Sequence, residues 1–428
     1  MIGANLVEVT PGASASLLIK VAGETKKTPY YFDPMTYAFG SYIDPQTGYV
    51  RADLDWIKSD QKVKGGKKGQ VARLFKSSYA KLANALGPPF STAVDNSTAI
   101  TSGDFNTKAK LKAVAQSVVR YQRERIKGVF RDDEEYKDYA DEVPEPAVVF
   151  APYFYVEPSD AKGWIDTNLR LARATAELGD PSVLHMILCA PKELLTDQQT
   201  LKQLESDLPE TGVTGVWLWF SRFDEQSANY EELSGLRRMV TKLSGAGLKV
   251  YNLHGGYFSL ALSKFGLTGV AHGVGYGEQK DVVPIIGQST PTVRYYVPPL
   301  HGRFGVPNIV LCFNALGITS PAAFWDQICD CAICKGIVGK GLDRFASFGE
   351  MHLSTPTSKR LAQTPAAAKL CRFHFLLSRL RERDAIEKMD ADAIREQLRS
   401  AREEWNGTNM QSSLSHIGLW RSALRIDE

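Results

Sequence analysis

"GVTGVWLWFS", residues 212–221, carries Val216, Trp217, Leu218, Trp219 and Phe220 without a polar break. A strand with one wet face alternates apolar and polar residues. An unbroken apolar run fits a strand buried on both faces, as in a parallel sheet covered by helices. Seven more runs share this character: "SLLIKVAG" (16–23), "PYYFDP" (29–34), "FSTAVD" (90–95), "PAVVFAPYFYV" (146–156), "SVLHMILCA" (182–190), "LKVYNLHGG" (248–256) and "LTGVAHGVG" (267–275). Helical segments fit between most of them. In 107–127, Leu111, Val114, Val118 and Tyr121 recur at helical spacing. Residues 164–178 and 230–247 read likewise, the second ending in glycines suited to a C-cap. Eight strand-helix units predict an α/β fold of the (β/α)8 TIM-barrel type. An open doubly wound sheet is the alternative. No G-x-G-x-x-G follows the early strands, which argues against a dinucleotide-binding version.

The whole chain bounds the function only loosely. It has 428 residues, 43% apolar and 23% charged, with a formal net charge of +3. That balance neither demands nor excludes a polyanionic partner. No apolar run approaches the ~18 residues of a membrane span, so no membrane association is expected. The first residues, "MIGANLVEVTPGASAS", lack a charged segment followed by an apolar core, so secretion is not expected and the cytoplasm is the default location. The six cysteines then read as thiols or metal ligands. Residues 51–89 follow the second strand and include Lys62, Lys64, Lys67 and Lys68 around two glycines. A basic loop at a barrel mouth suits phosphate contacts. Residues 131–145 form an acidic loop.

"WDQICDCAICKGI", residues 325–337, places Cys329, Cys331 and Cys334 within six positions. Thiolates at i, i+2 and i+5 converge on one cation from a tight turn, and tetrahedral Zn²⁺ needs one more ligand. His374 is the preferred fourth ligand, with His352 and Cys371 as alternatives. It sits beside a helical stripe of Leu370, Phe373, Leu377 and Leu380, expected to be buried. Four protein ligands would close the shell and make the metal structural. This divides the chain into a catalytic barrel, 1–290, and a zinc-binding, helical C-terminal subdomain, 291–428.

A Cys-x-Cys-x₂-Cys cluster after eight strand-helix units, followed by a histidine opening a Leu- and Arg-rich helix, resembles the tRNA-guanine transglycosylase family, including its DNA-modifying relatives that insert 7-deazaguanine bases. The resemblance implies a barrel with a structural zinc subdomain. It also implies exchange of guanine for a 7-deazaguanine through a covalent sugar-carboxylate intermediate, as in queuosine-type modification. On that likeness Asp95, ending the third strand in "STAVDNS", is expected to bind the base and act as acid and base, with Asp104 as a substitute. The family places its nucleophile at the end of the eighth strand. Here Glu278 is the nearest acid and Asp281 the next. The 24 residues after Glu404 are too few for the RNA-binding module of archaeal tRNA enzymes, so DNA is preferred to tRNA as the substrate. Partner proteins and homodimer formation stay open.

Other strand ends offer substrate-binding groups: Asp33 and Tyr37 after the second, Tyr153 and Tyr155 after the fourth, Arg222 and Asp224 after the sixth, and His254, Gly255, Gly256 and Tyr257 after the seventh. Aromatic rings there would stack on a purine. Two rival readings remain: a catalytically silent transglycosylase-like subunit, and an unrelated metal hydrolase using His185, His254 and His272.

Overall fold

The protein is described by a computed structural model covering residues 2–4, 29–43, 50–52, 77–96, 98–179, 183–273, 278–282, 292–354, 361–410 and 414–425. The expected strand at 16–23 and the four lysines Lys62, Lys64, Lys67 and Lys68 lie outside the described residues.

The chain builds a five-stranded parallel sheet in sequence order: β3 (Val149–Phe150), β4 (Leu184–Pro191), β5 (Gly215–Ser221), β6 (Lys249–Asn252) and β7 (Leu267–Val270). A parallel pair, β1 (Ile2–Ala4) and β2 (Tyr30–Phe32), joins its β3 edge through a bridge from Tyr31 to Val148. Neighbours in space are therefore neighbours in sequence, without the reversal that marks a doubly wound sheet. Among the described residues no pairing closes β7 back onto β1 or β2.

Both faces of the sheet are covered, as the unbroken apolar runs require. On one face Ile187, Cys189, Trp217 and Trp219 pack with Tyr31, Phe150 and Tyr153 into an aromatic core. On the other, Met186, Leu188, Val216, Leu218 and Val250 meet the helices. Alternation along each strand sends successive side chains to these two separate cores.

The expected third strand is a correction. Residues 90–95 lie in helix α1 (Phe90–Asn96). Phe90 and Ala93, three apart, are buried, and Phe90 packs on Phe39 and Phe154. Thr92 and Val94 favour a strand locally, but burial at helical spacing wins. The run 146–156 is also shorter than expected, with only Val149–Phe150 as strand. Side-chain amides add to the strand partners there. Gln122, on α2 (Lys108–Arg131), both accepts from Phe150 N–H and donates to its carbonyl, each at 2.8 Å. Asn168, on α3 (Ala161–Ala176), does the same for Phe154 at 2.9 and 2.8 Å. These amides supplement the backbone bonds that the run keeps with β4, from Ala151 N–H to the His185 carbonyl at 2.9 Å and from Val156 N–H to the Cys189 carbonyl at 2.8 Å.

The next crossovers run through α4 (Gln198–Asp207) and α5 (Tyr230–Gly245). Gly235 lets α5 press on the preceding segment, because a Cβ there would lie 2.0 Å from the Leu195 carbonyl oxygen. Gly235→Ala is expected to lower stability by about 1–3 kcal/mol, more than offsetting the ~1 kcal/mol that alanine gains in a helix interior. Urea unfolding midpoints check this.

Past the sheet come the antiparallel pair β8 (Tyr295–Val297) and β9 (Gly302–Phe304), then α7 (Ala332–Val338), α8 (Pro365–Lys388), α9 (Ala391–Trp405) and α10 (Ser415–Ala423). The helix α6 (Tyr257–Ala261) lies between β6 and β7. Trp420 of α10 donates to the Glu225 carbonyl at 2.7 Å, tying the C-terminal helices to the loop after β5. No helix among the described residues is long and apolar enough to cross a membrane.

Candidate functional site

Cys329, Cys331, Cys334 and His374 converge, all buried, with their ligand atoms within 4.8 Å of one another. His374 Nδ1 lies 3.7, 3.4 and 3.4 Å from the three sulfurs in that order. Tetrahedral bonds of about 2.3 Å to sulfur and 2.0–2.1 Å to nitrogen put such atoms about 3.6 Å apart. The spacing therefore fits a metal ion such as zinc. His374 Nε2 hydrogen-bonds the Tyr296 carbonyl at 2.6 Å, which leaves Nδ1 as the lone-pair atom facing the thiols. Cys331 caps α7 and its sulfur accepts from Cys334 N–H, while Cys329 sulfur accepts from Cys331 N–H, both at 3.4 Å. Such donors favour thiolates. The alternative ligands are elsewhere. His352 is exposed on a hairpin, and the Cys371 thiol, pushed up to about 12 by burial, donates to the Phe348 carbonyl.

The stripe expected on α8 needs correcting. Phe373 and Leu380 are 44% and 49% exposed. The buried face carries Cys371, His374, Phe375, Ser378, Arg379 and Glu382. The helix is turned so that polar groups point inward, because they have specific partners there. Arg379 pairs with Glu278 and, at 2.9 Å, with Glu382. Glu382 also accepts from Tyr296 hydroxyl at 2.6 Å and bonds His301 Nδ1 at 2.7 Å. Burial opposes ionisation of Glu382, but Arg379 and His301 outweigh it and hold the carboxyl below its ordinary value.

Glu278 thus lies between two guanidinium groups, since Arg303 Nε donates to it at 2.9 Å. Arg303 itself stacks on Phe375, 3.8 Å from the ring centroid. Close by is Glu225, which accepts from Phe258 and Ser259 N–H at 3.0 and 3.2 Å. A Cβ on Gly256 would meet both acids, 2.7 Å from Glu225 and 3.4 Å from Glu278. Gly255 similarly makes room for Ser259. These two glycines, expected to admit a ligand, admit protein side chains instead. Tyr257 is also taken up structurally, stacked on His301 with centroids 3.3 Å apart.

Burial raises Glu225 to about 7, with the Glu278 charge adding to it and Ser259 and the Gly256 backbone opposing. Its unfolded value is about 4.3. The folded state binds the extra proton, so this contribution to stability is full below the unfolded value and is lost as pH rises through about 7. The amount is about 4 kcal/mol. Glu225→Gln is expected to flatten the fall in stability between pH 5 and pH 8, measured by urea unfolding with zinc in excess. Glu225 escapes sequence reasoning because a loop glutamate reads as surface. Its only signal is its place just past a buried strand.

A second cluster occupies the C-terminal ends of β2 and β5. Asp33, buried, accepts from Tyr153 hydroxyl at 2.8 Å and Met35 N–H at 2.9 Å. Burial raises its carboxyl above the ordinary range, against the opposing pull of Lys280 and of these two donors. Tyr37 stacks beside Tyr153, with centroids 5.7 Å apart, and meets Trp219 edge-on. His254 meets the other side of Trp219 at 5.3 Å. The Lys280 ammonium lies 4.7 Å from the Trp219 centroid and 3.3 Å from Tyr37 hydroxyl. Asp33 and Tyr153 are in direct contact, and His254 and Lys280 join them through Trp219 and Tyr37. Asp95 is not among them. It is exposed on α1, so its expected position at a strand end does not exist. Asp281 is held by Arg222 N–H at 2.7 Å.

A buried carboxylate with aromatic walls and a nearby ammonium can hold a flat, hydrogen-bonding heterocycle. Comparison with protein-family models, with curated proteins and with solved structures finds no match for this chain.

Proposed function

We propose that this chain is a base-exchanging transglycosylase on a (β/α)8 barrel, replacing guanine by a 7-deazaguanine in nucleic acid, with DNA the preferred substrate and zinc held for structure. The observation that carries this reading is the Asp33 cluster. A buried acid with Tyr37, Tyr153 and Trp219 around it stands at strand ends, where parallel α/β folds place their ligands. Strand order without reversal supports the barrel. Four protein ligands around one point support a closed, structural zinc site.

In this proposal Asp33 recognises the base and carries the proton, in the place first expected of Asp95. Glu278 attacks C1′, a carbon–oxygen bond forms, and the bond to guanine breaks with its electron pair leaving on the base. Asp33 gives the departing guanine its proton. The incoming 7-deazaguanine returns a proton to Asp33 and displaces Glu278 from C1′. Lys280 and Glu278 are two residues apart in the chain, so one stretch supplies both the ammonium and the nucleophile. Labelled guanine or 7-deazaguanine, offered with duplex DNA and with tRNA, tests this. Incorporation and a protein–nucleic acid adduct on denaturing gels are expected. Absence of both on every substrate would favour the second reading, a catalytically silent nucleic-acid-binding subunit, which the double-arginine clamp on Glu278 favours.

A further inference from the structure

Two grooves on the outer wall meet at Tyr230. One, of about 630 Å³, follows α5 and is lined by Ser234, Arg237, Arg238 and Lys242. The other, of about 500 Å³, lies against α9 and α10, lined by Arg395, Arg421 and Arg425. We infer that they form one track for a nucleic-acid phosphate backbone, an inference that rests on the nucleic-acid reading above.

The sequence puts the track together simply. Tyr230, Ser234 and Arg238 are four apart, and Thr241 and Lys242 continue the stripe on the same helical face. At 1.5 Å per residue the stripe runs about 18 Å from Tyr230 to Lys242. Tyr230 opens α5 and is 43% exposed. The loop before it, which follows β5, carries Arg222 and Glu225. The opposite wall is fixed by contacts between helices: Arg421 donates to the Arg395 carbonyl and Arg395 to the Arg421 carbonyl, both at 3.2 Å.

Charge selects the occupant. Among the described residues six cations line the two grooves against one acid, Glu231. Four already have partners: Arg238 pairs with Glu205 at 2.8 Å and Arg395 with Asp392 at 2.9 Å, Arg237 donates to the Arg425 carbonyl and lies over Phe265, and Arg421 donates to the Arg395 carbonyl. Lys242 and the Arg425 side chain carry the charge that the track offers. Ser234 Oγ is buried without a partner, and the Thr241 hydroxyl stands on the same stripe. Arginines beside hydroxyls suit phosphate oxygens, and an exposed tyrosine offers a platform for an unpaired base.

The test uses the full chain with zinc. Lys242 and Arg425 are exposed and line one groove each, so the double variant Lys242→Gln/Arg425→Gln should fold, which melting and zinc content will show. Binding to duplex DNA is measured by fluorescence anisotropy across salt. Each phosphate that is no longer neutralised reduces the slope of log K against log salt by ~0.9, so the pair should lower it by about 1.8. Adding Arg421→Gln should lower it by ~0.9 more. An unchanged slope, with wild type binding DNA, overturns the track and leaves the transglycosylase reading standing. If the double variant loses poly-glutamate but not DNA, the groove belongs to an acidic protein and the inference is overturned. Failure of the wild type to bind any nucleic acid overturns both.

Discussion

Cys331→Ser protein is expected to come out of cells insoluble, or soluble but unfolded and without zinc. Cys331 ends one turn, caps α7 and stands 3.4 Å from His374 Nδ1. Serine keeps the cap but gives zinc a poor, protonated ligand. Structural zinc sites in small domains are worth about 10–16 kcal/mol of apparent binding free energy, comparable with the whole ~5–15 kcal/mol stability of a typical protein. Losing a large part of that leaves three buried polar groups facing one another. Cys371→Ser supplies the contrast. Its thiol is buried one turn from His374 but bonds a carbonyl instead of joining the set. That variant is expected to keep one zinc per chain and to lose only about 1–2 kcal/mol. Metal analysis and circular dichroism read both. Folded Cys331→Ser protein with full zinc would remove the metal centre from the account.

Asp33→Asn carries the second large effect. The amide has the shape of the acid but cannot move a proton, and it presents one acceptor where the carboxylate presents two. Exchange of labelled guanine should fall by about 10²–10⁴, the usual worth of a positioned acid or base. Glu278→Gln should abolish the covalent adduct while substrate still binds. That change also leaves Arg303 and Arg379 without their shared carboxylate, and breaking a buried pair costs about 3–5 kcal/mol. Glu278→Asp keeps the charge and shortens the reach, so it should fold and still fail to form the adduct. Full exchange by Glu278→Asp and Asp33→Asn proteins would place the chemistry elsewhere.

The parallel sheet was legible because its strands are buried on both faces. Val216 to Phe220 needs no partner to declare itself; β5, β6 and β7 fall within expected runs, and β4 passes the end of its run only by Pro191. The Cys3His cluster was legible too, since the spacing of Cys329, Cys331 and Cys334 is local, and His374 stands out as the histidine of a long helix. What could not be read depends on tertiary partners. Phe90 and Ala93 look like a strand with Thr92 and Val94 between them until Phe39 and Phe154 arrive to bury one side. On α8 the apolar pattern suggested a stripe, yet Arg379 and Glu382 turned inward toward Glu278, Tyr296 and His301. Gly255 and Gly256 looked open to a ligand because nothing in the sequence places Glu225 beside them.

One helix serves three sites in succession: His374 meets the thiols, Arg379 holds Glu278, and Glu382 gathers Tyr296 and His301. This sets an order of assembly during synthesis. Glu278 and Arg379 are 101 residues apart, and chains emerge from the ribosome N-terminus first. The strands can pair long before that arginine exists. The contacts of Arg379 with Glu278 are then made last, by the helix that also carries His374 to the thiols. If zinc fills the thiol–histidine cluster, a cell short of it would make the sheet on schedule and leave the contacts of that helix unmade.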